Sequence, residues 1–312
     1  IAYWLTRHLN DPKLLLWIVR NGRPNERFLD LIKRKLNNLD KLVEEQNTVE
    51  LENARVNSPN AIPDKNMRKL WRLLEAGRIK FSNLNSDFYN WREFFDKNGH
   101  TLCTRFKLRE LLTPFVVLSE SIADPFYKKS NSETTRPLKN LVSWKITLAA
   151  DSARPELQDW KNSHWREILP LLLTDFQQLL IDALDLINEL KDSDDYDLST
   201  FDLPSISPHW QNRDYQEWSL LIELLRDSWL ELDKRDSHQA AEVVVEWFEL
   251  PYPVFKRLSF FAATESNSIS SAVWTNWLLA DNAHWLWANS TKREVLRLLR
   301  KKGESISVKQ RQ

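Results

Sequence analysis

Glycine is almost missing from this 312-residue chain: Gly22, Gly77, Gly99 and Gly303 are the full set, and none lies between residues 100 and 302. Backbones that turn at left-handed torsions, or that press against a phosphate, need glycine at fixed places. Doubly wound dinucleotide folds, phosphate-cradling loops and nucleophile elbows are therefore disfavoured, and neither GxGxxG nor GxxxxGK[ST] occurs. Cysteine is as scarce. A single Cys103 cannot close an internal disulfide, which fits a reducing, cytoplasmic setting. No apolar run approaches the roughly 20 residues that a membrane span requires, and no signal peptide opens the sequence. Neither sign of charge is in surplus, because 44 Lys and Arg balance 44 Asp and Glu, so no global field draws the chain to nucleic acid or to an anionic membrane. The first residue is Ile1 and the one methionine is Met67, so a segment of a longer protein is expected.

What is abundant is helix-forming. Leu is the commonest residue and Glu, Lys and Arg are plentiful, and AEVVVEWFEL (241–250) stands out as the strand-like run, although it reads equally as a buried helix. Trp218, Leu221, Ile222, Leu225 and Trp229 recur on one helical stripe. Pro253 suits a first helical turn, with Phe255, Leu258, Phe261 and Ala262 behind it. Leu296 and Leu299 repeat the spacing of Leu258 and Phe261 after an interval of about 38 residues, the spacing at which stacked helix pairs return. The expected fold is all-α, an irregular HEAT-like α-solenoid. An N-terminal helical subdomain is expected over 1–130 and C-terminal HEAT-like repeats over 131–312.

Asp11-Pro12 starts a helix that Gly22 stops, Asn25 caps the next, and 67–77 forms a short helix closed by Gly77. Residues 119–138 are polar and proline-punctuated, the best candidate for a boundary. Residues 141–148 and 160–190 read as helices, the second interrupted near Pro170, and the acidic run 191–202 reads as a solvated linker, lacking the glycine and the terminal Glu of a calcium loop.

Chemistry is mostly not found. The six histidines are never in a zinc spacing, and no catalytic, metal or cofactor residue is assigned. The candidates for binding are Trp285, Trp287, His209 and Arg213. Eight of the 15 tryptophans lie from Trp210 onward; most sit on apolar stripes and belong to a core, but Trp285 and Trp287 cannot share one helix face, so one of them is a candidate for exposure. His209 and Arg213 stand in the polar knot SPHWQNRDYQEW, where Asn212 or Asp214 is expected to cap the Trp218 helix. Arginines and lysines from Arg293 to Arg311 suit a helix C-terminus and, as an alternative, a nucleic-acid contact.

The phrases PHWQNRDYQEW, LLIELLRDSWLEL, LPYPVFKRLSFFAAT, WLLADNAHWLW and TKREVLRLL, with AYWLTRHLNDPKLLLWIVRNG at the start, resemble the helical C-terminal portions of large bacterial antiviral-defence proteins. In those proteins a sirtuin-like (SIR2-like) or P-loop NTPase effector precedes a long helical region. The resemblance implies a non-enzymatic sensing or scaffolding role, with a protein partner that is phage-derived or another subunit of a defence complex. The alternative is a nucleic-acid-binding helical module that uses the basic C-terminal tail.

Overall fold

The computed structural model describes residues 2–45, 49, 53, 56–58, 60–81, 88–121, 137–158, 160, 162–191, 197–212 and 216–306. In chain order its elements are α1 (Ala2–Leu5), α2 (Pro12–Asn21), α3 (Glu26–Glu44), α4 (Lys65–Glu75), α5 (Phe88–Asn98), α6 (Leu102–Leu111), β1 (Pro114–Glu120), α7 (Leu138–Leu141), β2 (Val142–Leu148), α8 (Ala153–Gln158) and α9 (Ser163–Leu190). There follow α10 (Leu198–Asp202), α11 (Leu220–Arg235), α12 (Ser237–Glu249), α13 (Pro253–Glu265), α14 (Ser271–Trp287) and α15 (Lys292–Lys302). The chain is mostly helical, 72% helix with a single two-stranded sheet among the described residues.

These contacts group the chain into two units. The first takes 1–86, 113–149 and 185–193. Its helices begin where side-chain acceptors meet free backbone N–H groups: Asp11 accepts from Lys13 N, Asn25 from Arg27 N and Asp64 from Met67 N. Gly22 (φ 98) and Gly77 (φ 67) take the left-handed torsions that stop α2 and α4. The buried stripes Leu15, Leu16, Ile18 and Val19 on α2, Phe28, Ile32, Leu36 and Leu39 on α3, and Met67, Leu70, Trp71 and Leu74 on α4 supply the core. Trp71 donates its indole N–H to the Leu9 carbonyl at 2.7 Å, so the ring is buried without an orphaned donor.

Residues 141–148 are expected to be helical; Leu141 ends α7, but 142–148 form β2, antiparallel to β1 in a register running from Pro114↔Leu148 to Glu120↔Val142. The physical reason is the alternation VSWKITL, which puts Val142, Trp144, Ile146 and Leu148 on one face with Ser143, Lys145 and Thr147 between them, a period of two that no helix accommodates. Residues 78–80 extend the sheet through a parallel bridge from Ile79 to Val116, and Lys80 caps the Leu148 carbonyl at 3.0 Å. The expected division at 130/131 falls on residues outside the described ones.

The second unit takes 87–112, 150–184 and 194–312. Helices α5 and α6 meet at Gly99 (φ 65), and Thr101 and Thr104 form a reciprocal capping box at the start of α6. Trp91, Phe95, Trp160 and Trp165 pack ring on ring at 5.3 to 6.3 Å. Arg105 holds the buried Asp175 of α9 by two bonds at 2.5 and 3.0 Å. Pro170 does not interrupt α9, contrary to expectation. The carbonyl it deprives of a helical partner belongs to Arg166, an exposed residue.

Helices α11, α12 and α13 pack on their sequence neighbours, and α13 also packs on α15. The expected stripe of α11 is buried throughout, and AEVVVEWFEL lies in helix α12. The interval from α13 to α15 is not kept in register: Leu258 and Phe261 are buried, but Leu296 is 57% exposed and the inward side chains of α15 are Glu294, Val295 and Leu298. Asn212 caps no helix. It bonds instead to Ser205 N and O and to Ser207 O, stapling the 205–212 loop.

Candidate functional site

Ser271 opens α14 as an ordinary helix that buries Trp274, Trp277 and Leu278. At Ala280 the chain swings out (ψ 152), and Asp281, Asn282 and Ala283 all take left-handed torsions, φ 53, 59 and 60. Asp and Asn enter that region with a short polar side chain; alanine pays about 1–2 kcal/mol to be there. Three such residues in succession need to be held from outside, and the holding contacts are visible. Trp285 donates its indole N–H to Asp281 Oδ2 at 2.8 Å, and the His284 ring meets Trp285 edge-on at 4.8 Å. From α13, Lys256 places its ammonium 5.4 Å from the Trp285 ring and 4.4 Å from Phe248, and donates to the Phe248 carbonyl. Burial pushes the Lys256 ammonium below the usual lysine range, and the carboxylates of Glu249 and Asp281 work against that shift. Phe248 in turn stacks on Trp277 at 5.0 Å.

The consequence for the two named tryptophans is a division of labour. Trp285 is half-buried against Lys256 and Asp281, whereas Trp287, two residues on and facing away, is 78% exposed. Leu279, just before the turn, is also exposed at 59%. By contrast, Trp218 in the turn before α11, Trp229 on α11 and Trp247 on α12 are buried with their indole N–H groups bonded to Asp202, the Ala240 carbonyl and Gln177. Trp287, like Trp210 at 65% exposure, therefore keeps much of its apolar surface in water.

His209 lies elsewhere in the second unit, at a recess of about 370 Å³ between the 205–212 loop, α9 and α11. Its Nδ1 accepts from Gln211 N at 3.2 Å and its ring approaches Trp210 at 5.6 Å. Two carboxylates share the recess, and both are engaged: Glu223 with Arg154, Asp227 with Arg226 at 2.7 Å. No Ser, Thr or Cys lines it, so the arrangement is a charge-balanced recess without a nucleophile beside the imidazole. Arg213 lies outside the described residues. Among the described residues, no three His, Cys, Asp or Glu side chains converge to hold a metal, and no helix is long and apolar enough to cross a membrane.

Several cations of the C-terminal helix turn toward the protein. Arg293 donates to Gln211, Arg297 and Lys301 pair with Glu265 at 3.0 and 3.1 Å, and Lys302 donates to the Ser266 carbonyl. Two features escaped the sequence. The Lys256 cage joins residues of three helices and has no local signal. The second is a cavity beside Trp17 in the first unit; its signal was available, since Trp17 stands on the polar face of α2 between Lys13 and Arg20. No family model, no curated protein and no solved structure matches this chain.

Proposed function

We propose that this segment is the non-catalytic helical region of a bacterial antiviral defence protein, which binds a protein partner and relays that event to an effector outside the segment. On this reading α11 to α15 act as HEAT-like stacked rods, and the partner is phage-derived or another subunit of a cytoplasmic defence complex. The succession of helices, each packed on its neighbour in sequence, supports the stacking. The observation that carries the proposal is Trp287, a large rigid side chain 78% exposed that follows a left-handed turn at 281–283. Nucleic-acid binding by the basic tail has less support, because Arg293, Arg297, Lys301 and Lys302 are committed within the fold.

The test is Trp287→Ala in the full-length protein, assayed for protection of cells against phage. Hot-spot tryptophans contribute about 2 kcal/mol or more to binding, so partner affinity is expected to fall roughly 30-fold and protection with it, while protein level and helical circular dichroism stay unchanged. Undiminished protection by that variant would sink the proposal.

A further inference from the structure

The first unit offers a site that the proposal above does not use. Along α2, Lys13, Trp17 and Arg20 recur at one-turn intervals on a single exposed face, with Trp17 at 57% exposure. The opposite face already buries Leu15, Leu16, Ile18 and Val19, so this indole is not needed by the core. Beside it opens a cavity of about 640 Å³, bounded by α2, the end of β1 and α7, within the range that small-molecule sites occupy. Lys13, Arg20, Glu120, Ser121 and Asn140 share its lining with Trp17. Arg20 pairs with Glu120 at 2.9 Å, but both are well exposed, so that bond exchanges readily for a stronger anion. Among the described lining residues two cations, Lys13 and Arg20, stand with one carboxylate, Glu120.

Asn140 adds an independent observation. Its Nδ2 is buried and has no hydrogen-bond partner, a state that proteins avoid unless something else completes it. A ligand edge that carries an acceptor would satisfy it, once the amide turns toward the cavity that Asn140 lines.

We propose that this cavity binds a nucleotide, with the base stacked on Trp17, an acceptor on the base edge taken by the Asn140 amide, and the phosphate held by Lys13 and by Arg20 released from Glu120. A flat ring, an edge acceptor and a phosphate anion are together what these four side chains match. A free mononucleotide and one nucleotide of a single strand share that chemistry.

Calorimetric titration of the 312-residue chain with AMP, adenosine and a ten-residue oligo(dA) tests the site and separates its sources. Saturable AMP binding is expected. Trp17→Ala should weaken it by about tenfold or more, while Trp17→Phe, which keeps a ring, restores most of the affinity. Lys13→Gln combined with Arg20→Gln should weaken AMP and flatten its salt dependence but leave adenosine unaffected, a split that a purely structural role would not produce. Oligo(dA) binding tighter than AMP, with the same sensitivity to Trp17, assigns the strand; equal or weaker binding assigns the free nucleotide. No saturation with either probe, or binding that Trp17→Ala leaves unchanged, overturns the proposal.

Discussion

Arg257 and Glu294, from α13 and α15, are all but sealed from water, at 1% and 4% side-chain exposure. A buried pair of this kind is costly to desolvate, and it persists because every remaining polar atom around it is used. The guanidinium reaches the two Glu294 oxygens at 3.3 and 3.4 Å and donates to the carbonyls of Leu203 and Ser199 at 2.7 and 3.0 Å. Glu294 also accepts from Ile206 N at 3.0 Å, so one ion pair fastens the 199–206 strap to two helices. Removing one partner strands the other charge. Glu294→Ala is expected to cost about 3–5 kcal/mol in urea unfolding, and the double variant Arg257→Met with Glu294→Leu to cost clearly less. Equal losses in the single and double variants would show that the strap, not the charge, sets the penalty. Nothing in the sequence marked this pair, because Glu294 follows Arg293 in what reads as a solvated helix face, and only tertiary burial separates the two. Trp218 and Trp229 were legible for the opposite reason: a stripe of apolar residues at helical spacing has one place to go. The choice between Trp285 and Trp287 was half legible. Their spacing required opposite faces, but which one faced water depended on a left-handed turn at Asp281–Ala283 that contains no glycine to announce it.

Among the elements, α9 shows how local rules and context compete. Pro170 lies deep in its 28 residues, where a missing N–H and a ring clash cost about 3 kcal/mol in an ideal helix. The sequence therefore read as a break, yet buried residues on either side, Ile168, Leu169, Leu172 and Leu173, hold the helix through that position. Pro170→Ala restores a bond to the Arg166 carbonyl and is expected to stabilise the protein by about 1–3 kcal/mol, measured as a higher urea midpoint with an unchanged slope. A drop in midpoint would mean that the ring itself is packed. The strands failed to be read for a different reason. VSWKITL alternates cleanly, but β1 opens on Pro114 and its partner lies beyond residues 122–136, so no hairpin turn signals the pairing. The helix-pair interval was legible only as spacing. Leu296 keeps the count from Leu258 and still points outward, because α15 meets α13 through Glu294, Val295 and Leu298.

At the scale of the whole chain, the two units are interleaved rather than consecutive. The chain enters the second unit at residue 87, returns to the first for 113–149, enters the second again at 150, contributes 185–193 to the first and ends in the second. A sequence offers no marker for this, since linker-like composition reports where chain is exposed and not which unit it rejoins. The interleaving has a consequence for any attempt to divide the protein. A chain of residues 1–130 retains α1 to α6 and β1 but loses β2, which supplies the whole antiparallel partner of β1, and loses the 185–193 segment, where the Glu189 carbonyl accepts from Lys69 at 3.0 Å. It also keeps α5 and α6 without Asp175, Trp160 and Trp165, leaving Trp91 and Phe95 bare and Arg105 unpaired. Strand β1 would then keep only its bridge to 78–80 and present the edge that β2 covered, beside exposed aromatic surface, the condition under which strands associate between chains. Residues 1–130 are therefore expected to lack a cooperative thermal transition and to self-associate in analytical ultracentrifugation, whereas the 312-residue chain melts cooperatively. A sharp, reversible melt of monomeric 1–130 would show that the first unit is complete without the strand and the segment it recruits from later in the chain.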